Sequence, residues 1–193
     1  VGNCRQMAMA MRDQALRLGV EFRINSHVER LRPSSQGAAG WQLQLRNGQH
    51  LQASHVVLCA GEAARDLLRP LGERLPLQAA HGYTLSAQIR EPINAPQVAA
   101  VTDAAQQICI SRQGQRIRVM GAYRLGVAPS RHDKRAVETL YQGLTQWYPG
   151  AAVLDDRRQI WSSTVWMTAD DQPLIGAVSR QPGLWLNTGH GFR

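Results

Sequence analysis

The sequence predicts a mixed α/β (α+β) chain built from two interleaved domains. Three observations carry this. A helix-spaced apolar stripe, Met7, Met11, Ala15 and Leu18, opens the chain. An unbroken apolar run, VVLCAG at 56–61, suits a strand buried on both faces, as in a parallel sheet. The middle third then changes character, to alternating strands, tight turns and one strong helix. Helix, buried strand, antiparallel insert and return divide the chain into 1–71, 72–163 and 164–193, with the outer two segments forming one domain and neither domain complete.

The elements follow in order. Asn3 can cap the first helix and Gly19 can end it. In VEFRINS, Val20, Phe22 and Ile24 alternate as in a half-buried strand, and Val28 and Leu31 continue into an edge. PSSQGAAG is a loop. GWQLQLRNGQHLQA is a hairpin, with Trp41, Leu43 and Leu45 on one face and Asn47-Gly48 expected as a type I′ turn. Glu62 to Arg69 is a short helix closed by Pro70. GYTLSAQI is a strand, QQICISR and RIRVMGAY flank a Gln113-Gly114 turn, and a helix follows with Ser130 as its cap. Ala136, Val137, Leu140, Tyr141, Leu144 and Trp147 line one side of that helix, and Pro149-Gly150 stops it. A strand around 158–163, the loop TADDQPLIG and the strand GLWLNT complete the pattern.

Composition excludes several classes. The chain has 193 residues, 44% of them hydrophobic, enough for a real core. No apolar run is long enough to span a bilayer, which needs about 18 residues or more. The start lacks Met and a signal-peptide core, and the end falls inside a turn, so a fragment of a longer polypeptide is expected. The formal charge is +8, and of the 22 basic residues only Lys134 is lysine. The arginines are scattered and form no basic stripe interleaved with aromatics, so nucleic acid is not the expected partner. Cys4, Cys59 and Cys109 are isolated, with Cys59 expected as a small core residue, which favours a reducing, cytoplasmic setting. The dispersed histidines predict no metal site.

The glycines of LWLNTGHG raise the question of a ligand. Gly189 and Gly191 form half of a dinucleotide fingerprint, and ordinary turn glycines explain them as well. A glycine turn can also stabilise negative charge with outward N–H groups and let backbone approach a flat ring. VVLCAG could bring backbone to a ligand at the carboxyl end of a parallel sheet, or simply end a strand. No GxSxG elbow is present, Asp170-Asp171 suits a turn, and Tyr83 and Tyr123 lie on strands. No residue is assigned as catalytic acid or base.

GNCRQMAMAMRDQALRLGVEFRINSHVERL, HVVLCAG, HGYTLS, ISRQGQRIRVMG, MTADDQPLIG and GLWLNTGHG, in this order and spacing, resemble the small subunit of FAD-dependent D-amino-acid dehydrogenase. More broadly, they resemble the glycine oxidase and D-amino-acid oxidase superfamily. The resemblance implies a partial Rossmann-like FAD-binding domain at 1–71 and 164–193, interleaved with an antiparallel-sheet substrate domain at 72–163. It implies that Val28 lies beside the adenine, Ala60 and Gly61 near the diphosphate-ribose, and Gly189, His190 and Gly191 beside the flavin. Tyr83 would face or support the substrate pocket. The implied reaction is oxidative deamination of a D-amino acid or other small amine, with association to the inner face of the cell membrane. Two positions depart from the family. Val165 stands where an arginine pairs with the substrate carboxylate, and Arg124 stands where a glutamate follows the central hairpin. Loss of such a charge-assisted fork costs about 2–5 kcal/mol of substrate binding. Arg124 could supply the missing charge from another wall. A diverged, non-catalytic flavin- or ligand-binding module of the same fold is the alternative these departures leave open.

Overall fold

The computed structural model describes residues 3–34, 40–97, 100–126 and 133–191. It is a mixed α/β chain in two compact units, Val1–Leu75 with Leu174–Thr188, and Pro76–Pro173 with Gly189–Arg193.

The first unit opens with α1 (Cys4–Arg17). The Asn3 side chain accepts from the Arg5 and Gln6 amides at 3.1 and 3.2 Å, satisfying two of the donors that a helix start leaves open. Gly19, at φ +84°, ends it. The expected burial of its Met7–Leu18 stripe does not occur: no residue of α1 is buried, and Met7 is 67% exposed. VEFRINS is likewise not a strand. Residues 20–25 join no ladder among the described residues, and Val20, Phe22 and Ile24 are exposed, because a strand persists only where a partner takes its backbone groups.

Next comes an antiparallel meander of β1 (Val28–Pro33), β2 (Trp41–Leu45) and β3 (His50–Ala53). Its β2–β3 connection is not type I′. Only Gly48 takes positive φ, the Gly48 amide donates to the Leu45 carbonyl, and the Leu45 amide donates to Gln49. That is a three-residue loop, a turn closed by a left-handed glycine bulge, and it spares Asn47 the left-handed conformation.

β4 (Val56–Leu58) precedes α2 (Ala63–Leu68), which runs on through a 3₁₀ turn at Arg69–Leu71. β4 is buried on one face only. Val56 and Leu58 point into the core, whereas Val57 is 59% exposed and Cys59, expected in the core, lies exposed just past the strand.

The second unit holds a six-stranded antiparallel sheet in the order β10-β5-β8-β7-β6, with β9 beside β5. Its strands are β5 (Gln78–Ile89), β6 (Ala100–Asp103), β7 (Ile108–Gln113), β8 (Arg116–Leu125), β9 (Ala152–Val153) and β10 (Gln159–Met167). The helix α3 (Lys134–Trp147) covers one face. Asp133, not Ser130, caps it, accepting from the Arg135 and Ala136 amides. Ser130 lies outside the described residues, as does much of the 33–40 loop.

α3 buries Ala136, Leu140 and Leu144 against Tyr83, Leu85, Ile108, Ile110, Ile117 and Val119. Each fully buried leucine contributes roughly 2 kcal/mol. The chain then returns to the first unit through β11 (Leu174–Ala177) and β12 (Leu184–Thr188). β12 pairs antiparallel with β11 and parallel with β4, at Leu184↔Val56, Trp185↔Val57 and Leu186↔Leu58. A parallel pair needs a long crossover, and here the insert is that crossover. The core beneath holds Leu31, Trp41, Leu58, Leu67, Leu68 and Leu184, and the Trp41 indole donates to the Pro182 carbonyl at 3.0 Å.

Two features of the α3 contact generate predictions. Gly143 leaves a notch in the helix, and a Cβ there would overlap Cδ1 of Ile108. Gly143→Ala should therefore destabilise the chain by about 1–3 kcal/mol, although alanine is the better helix former. Adding Ile108→Val, which removes Cδ1, should recover part of that loss in urea unfolding. Asp103 tethers the far end of α3: its carboxylate accepts from the Gln106 amide at 3.0 Å and the Trp147 indole at 2.9 Å. These bonds, the Gln106 amide foremost, hold Asp103 below its ordinary value of 3.8. A depressed carboxylate stabilises above its unfolded-state pKa and loses that contribution as pH falls through the folded value. The urea midpoint of the parent chain should exceed that of Asp103→Asn at pH 6, and the gap should close on acidification below pH 3.8.

Candidate functional site

The parallel pairing of β4 and β12 sets both strands' carboxyl ends at one edge of their sheet. Beyond β4, a cleft of about 380 Å³ is lined by Val28, Leu31, Leu43, Cys59, Ala60 and Ala63, among others. Val28 and Ala60, 32 positions apart in the sequence, thus share one apolar cleft. Gly61 follows at φ +53°, a conformation that costs any residue with a Cβ, and its carbonyl accepts from the Ala64 amide as α2 begins. At the end of β12, the Thr188 hydroxyl oxygen is buried with no hydrogen-bond partner among the described residues.

The glycine turn after β12 folds onto the insert sheet. Gly189 and Gly191 have φ of +75° and +59°. His190 forms a bridge with Met167 at the end of β10, and the Gly191 amide donates to the Trp166 carbonyl at 3.1 Å. A Cβ on Gly191 would meet the carboxylate of Asp171, which itself sits at φ +55° in the turn expected at Asp170-Asp171. The left-handed conformation favours glycine at this position, and any Cβ there would also have to displace the Asp171 carboxylate.

The insert sheet has two unlike faces. On β5, Tyr83, Leu85, Ala87 and Ile89 face α3, while Ala80, Gly82, Thr84 and Ser86 face the other way. Tyr83 is buried in the core beneath α3. The register places Val165 opposite Ala80, on the face away from the helix. Arg124 lies opposite His81 and reaches the cap carboxylate Asp133, with Nε at 3.7 Å. Tyr83 and Arg124 therefore belong to the helix side of the sheet, and Val165 to the open side.

The open face carries a cavity of about 620 Å³ lined by Ala80, Cys109, Met120, Tyr123, Leu125 and Met167, among others. Among the described residues, no charged side chain lines it. A bulge creates its wall. Between His81 and Tyr83 the β5–β8 register slips, Gly121 and Ala122 take φ of +140° and +50°, and the Tyr123 ring lies against Gly82, where any Cβ would overlap it. Burial pushes the Tyr123 phenol above its ordinary pKa, and the nearby Cys109 adds to this. Alternation along β7, β8 and β10 could have marked Cys109, Met120 and Met167 as one face. Gly121, a glycine inside the RIRVMGAY run, was the available signal for the bulge that turns Tyr123 inward, whereas the left-handed Ala122 beside it gave none.

No group of three or more potential ligand residues for a metal occurs among the described residues. No helix among them is long and apolar enough to cross a membrane.

The whole chain, residues 1–193, matches the family DAO, FAD dependent oxidoreductase. Among solved structures it is similar to glycine oxidase from Geobacillus kaustophilus, at 20% identity and TM-score 0.71, covering 86% of this chain and 43% of that one. It is similar to iminodiacetate oxidase from Chelativorans sp. BNC1, at 20% identity and TM-score 0.76, covering 97% and 49%. It is also similar to an L-amino acid deaminase from Proteus vulgaris, at 19% identity and TM-score 0.68, covering 94% and 45%. The chain thus spans about half the length of these proteins. The residues present fit part of an FAD group: an apolar cleft beyond a parallel strand and, at the end of the neighbouring strand, a buried hydroxyl with no partner among the described residues. The chain belongs to the FAD-dependent oxidoreductases of the DAO family, whose cofactor is FAD.

Proposed function

We propose that the chain is the middle and late part of an oxidoreductase of the D-amino-acid dehydrogenase type, acting on the amine-bearing carbon of a D-amino acid or related small amine. The observation that carries this reading is the convergence of Val28 and Ala60 in one cleft at the end of β4, in a chain that matches the FAD-dependent family throughout. Val28 and Ala60 would hold the adenine-ribose end, Gly61 would let backbone approach the diphosphate, and Gly189 to Gly191 would lie beside the flavin. When bound, FAD supplies the two-electron acceptor for the hydride that leaves the substrate carbon.

The chain's own residues bind, orient and exclude water. The C–H bond breaks with its electron pair leaving, the amine gives up a proton to solvent, and the resulting imine is hydrolysed to an oxo product and ammonia. A substrate bound as the free amine needs no protein base, consistent with the uncharged lining that the described residues give the open-face cavity. Apolar Met120, Leu125 and Met167 keep water from the reacting carbon. The same reading makes the protein a cytoplasmic one, peripheral to the inner face of the cell membrane.

A second reading has its own observation. Val165 lies on the open face, and Arg124 is turned to Asp133 on the other, so neither position brings a guanidinium to the cavity. This favours a diverged flavin- or ligand-binding module.

The gene's full-length product should carry flavin absorbance that bleaches anaerobically with D-amino acids. A folded, colourless protein defeats the first reading, and flavin that no amine reduces selects the second. Val165→Arg should lower KM for small D-amino acids by at least about tenfold, as one charge-assisted fork returns. Ala60→Leu should fill the cleft and cut FAD retention by about tenfold or more at unchanged folding, because the adenine end loses its packing space.

A further inference from the structure

Away from the cavity, the open face of the insert sheet holds a second cluster. Arg116 and Arg118 alternate on β8 and so point the same way. Arg118 lies opposite Ser86 on β5 and Ser111 on β7. Its guanidinium sits over the Trp161 ring, 5.3 Å from the centroid. Trp161 pairs with Thr84, and Thr84 pairs with Met120, so the arginine reaches diagonally across a row of small residues to find the indole. Arg116 is anchored on the same floor, with Nε donating to the Ser86 hydroxyl at 2.9 Å and Nη2 to the Ser86 carbonyl at 2.9 Å.

Three facts make this pair more than a solvated surface. None of the ion pairs among the described residues includes Arg116 or Arg118. The Nε of Arg118 is sealed from solvent with no acceptor among the described residues. Two like charges on one face repel, and a buried guanidinium donor without an acceptor is costly. The indole holds the Arg118 plane in place, so the ordering that a ligand would otherwise have to impose is already made. Met120, one alternate position further along β8, lines the apolar cavity. The distance from Arg118 to that wall is one two-residue strand step, roughly 7 Å.

We propose that Arg118, fixed on Trp161 and backed by Arg116, is a carboxylate-binding subsite of the open face. Its ligand joins an apolar body, seated against Met120 and Tyr123, to a carboxylate a few bonds away. This rests on the proposed function for its biological sense, because it names the substrate chemistry of that same face. A face with Val165 in place of an arginine then still recognises an acid, at another point of the same sheet. The carboxylate recognised here lies several bonds from the amine-bearing carbon, as in a side-chain or ω-carboxylate, which the α-carboxylate of alanine cannot supply.

Binding can be read without flavin turnover. The full chain is titrated calorimetrically, at low ionic strength, with 4-phenylbutyrate, 4-phenylbutan-1-ol and inorganic phosphate. Phenylbutyrate should bind at least about tenfold more tightly than the alcohol, the margin of one charge-assisted fork. Arg118→Met should erase that margin, and Arg118→Lys should keep part of it. Arg118→Gln serves as a second variant, and thermal melts confirm that each variant folds. Equal binding of acid and alcohol overturns the proposal, as does an undiminished margin in folded Arg118→Met. Phosphate binding as tight as phenylbutyrate overturns the amphipathic ligand. A full-length protein that lacks flavin but keeps the carboxylate margin sinks the proposed function and leaves this subsite standing. One that oxidises amines with no such margin does the reverse.

Discussion

The parallel pairing of β4 with β12 is the constraint on which the arrangement of the candidate site depends. Val56 meets Leu184 and Leu58 meets Leu186, although about two thirds of the chain separates them. Parallel strands start at the same edge and finish at the same edge. Cys59, Ala60 and Gly61 therefore leave the sheet where Thr188 ends it. Everything between must travel out and return, and the chain uses that excursion to build a complete six-stranded sheet with its own core. The loop-closure entropy of so long a crossover is offset because the excursion is a folded unit, not a loose loop.

Within that excursion, α3 decides which face of the sheet remains open. The helix takes the side carrying Leu85, Ile110, Ile117 and Val119 and notches over Ile108 at Gly143. Period-two alternation then dictates the opposite side: small Ala80, Gly82, Thr84 and Ser86 down the middle, flanked by Met120, Trp161 and Arg118. A row of small residues between larger neighbours makes room on an otherwise flat sheet. The bulge at Gly121-Ala122 closes one end by laying Tyr123 over Gly82. Stored strain at a left-handed alanine, roughly 1–2 kcal/mol, is the cost of aiming that ring.

Local chemistry was legible where a single interaction settled it. The Asn3 cap, the turn at Gly114, the α3 stripe and the strand character of 83–89 all follow from neighbours in sequence. What failed needed a distant partner. The Met7–Leu18 stripe and the alternation at Val20, Phe22 and Ile24 are real patterns, yet nothing among the described residues buries them. The apolar run at 56–58 gained cover on one face only, which left Val57 and Cys59 exposed. At Asn47-Gly48 the dipeptide preference gave way to a bulge that uses Gly48 alone.

The sequence by itself determined the mixed α/β class, the antiparallel insert and the glycine turn at 189–191, because periodicity and glycine's unique conformations are written residue by residue. Ordered segment resemblance added the flavin family, which the match over the full chain bears out. The tertiary structure decided the rest. It brought Val28 and Ala60 into one cleft and Gly191 against Trp166 and Asp171. It sent Arg124 to the helix side with Asp133 and stacked Arg118 on Trp161 on the open side. Each outcome depends on strand register and on a bulge, which shift every side chain between faces by a single residue. Register is fixed by packing across the whole sheet, so no local stretch of sequence contains it.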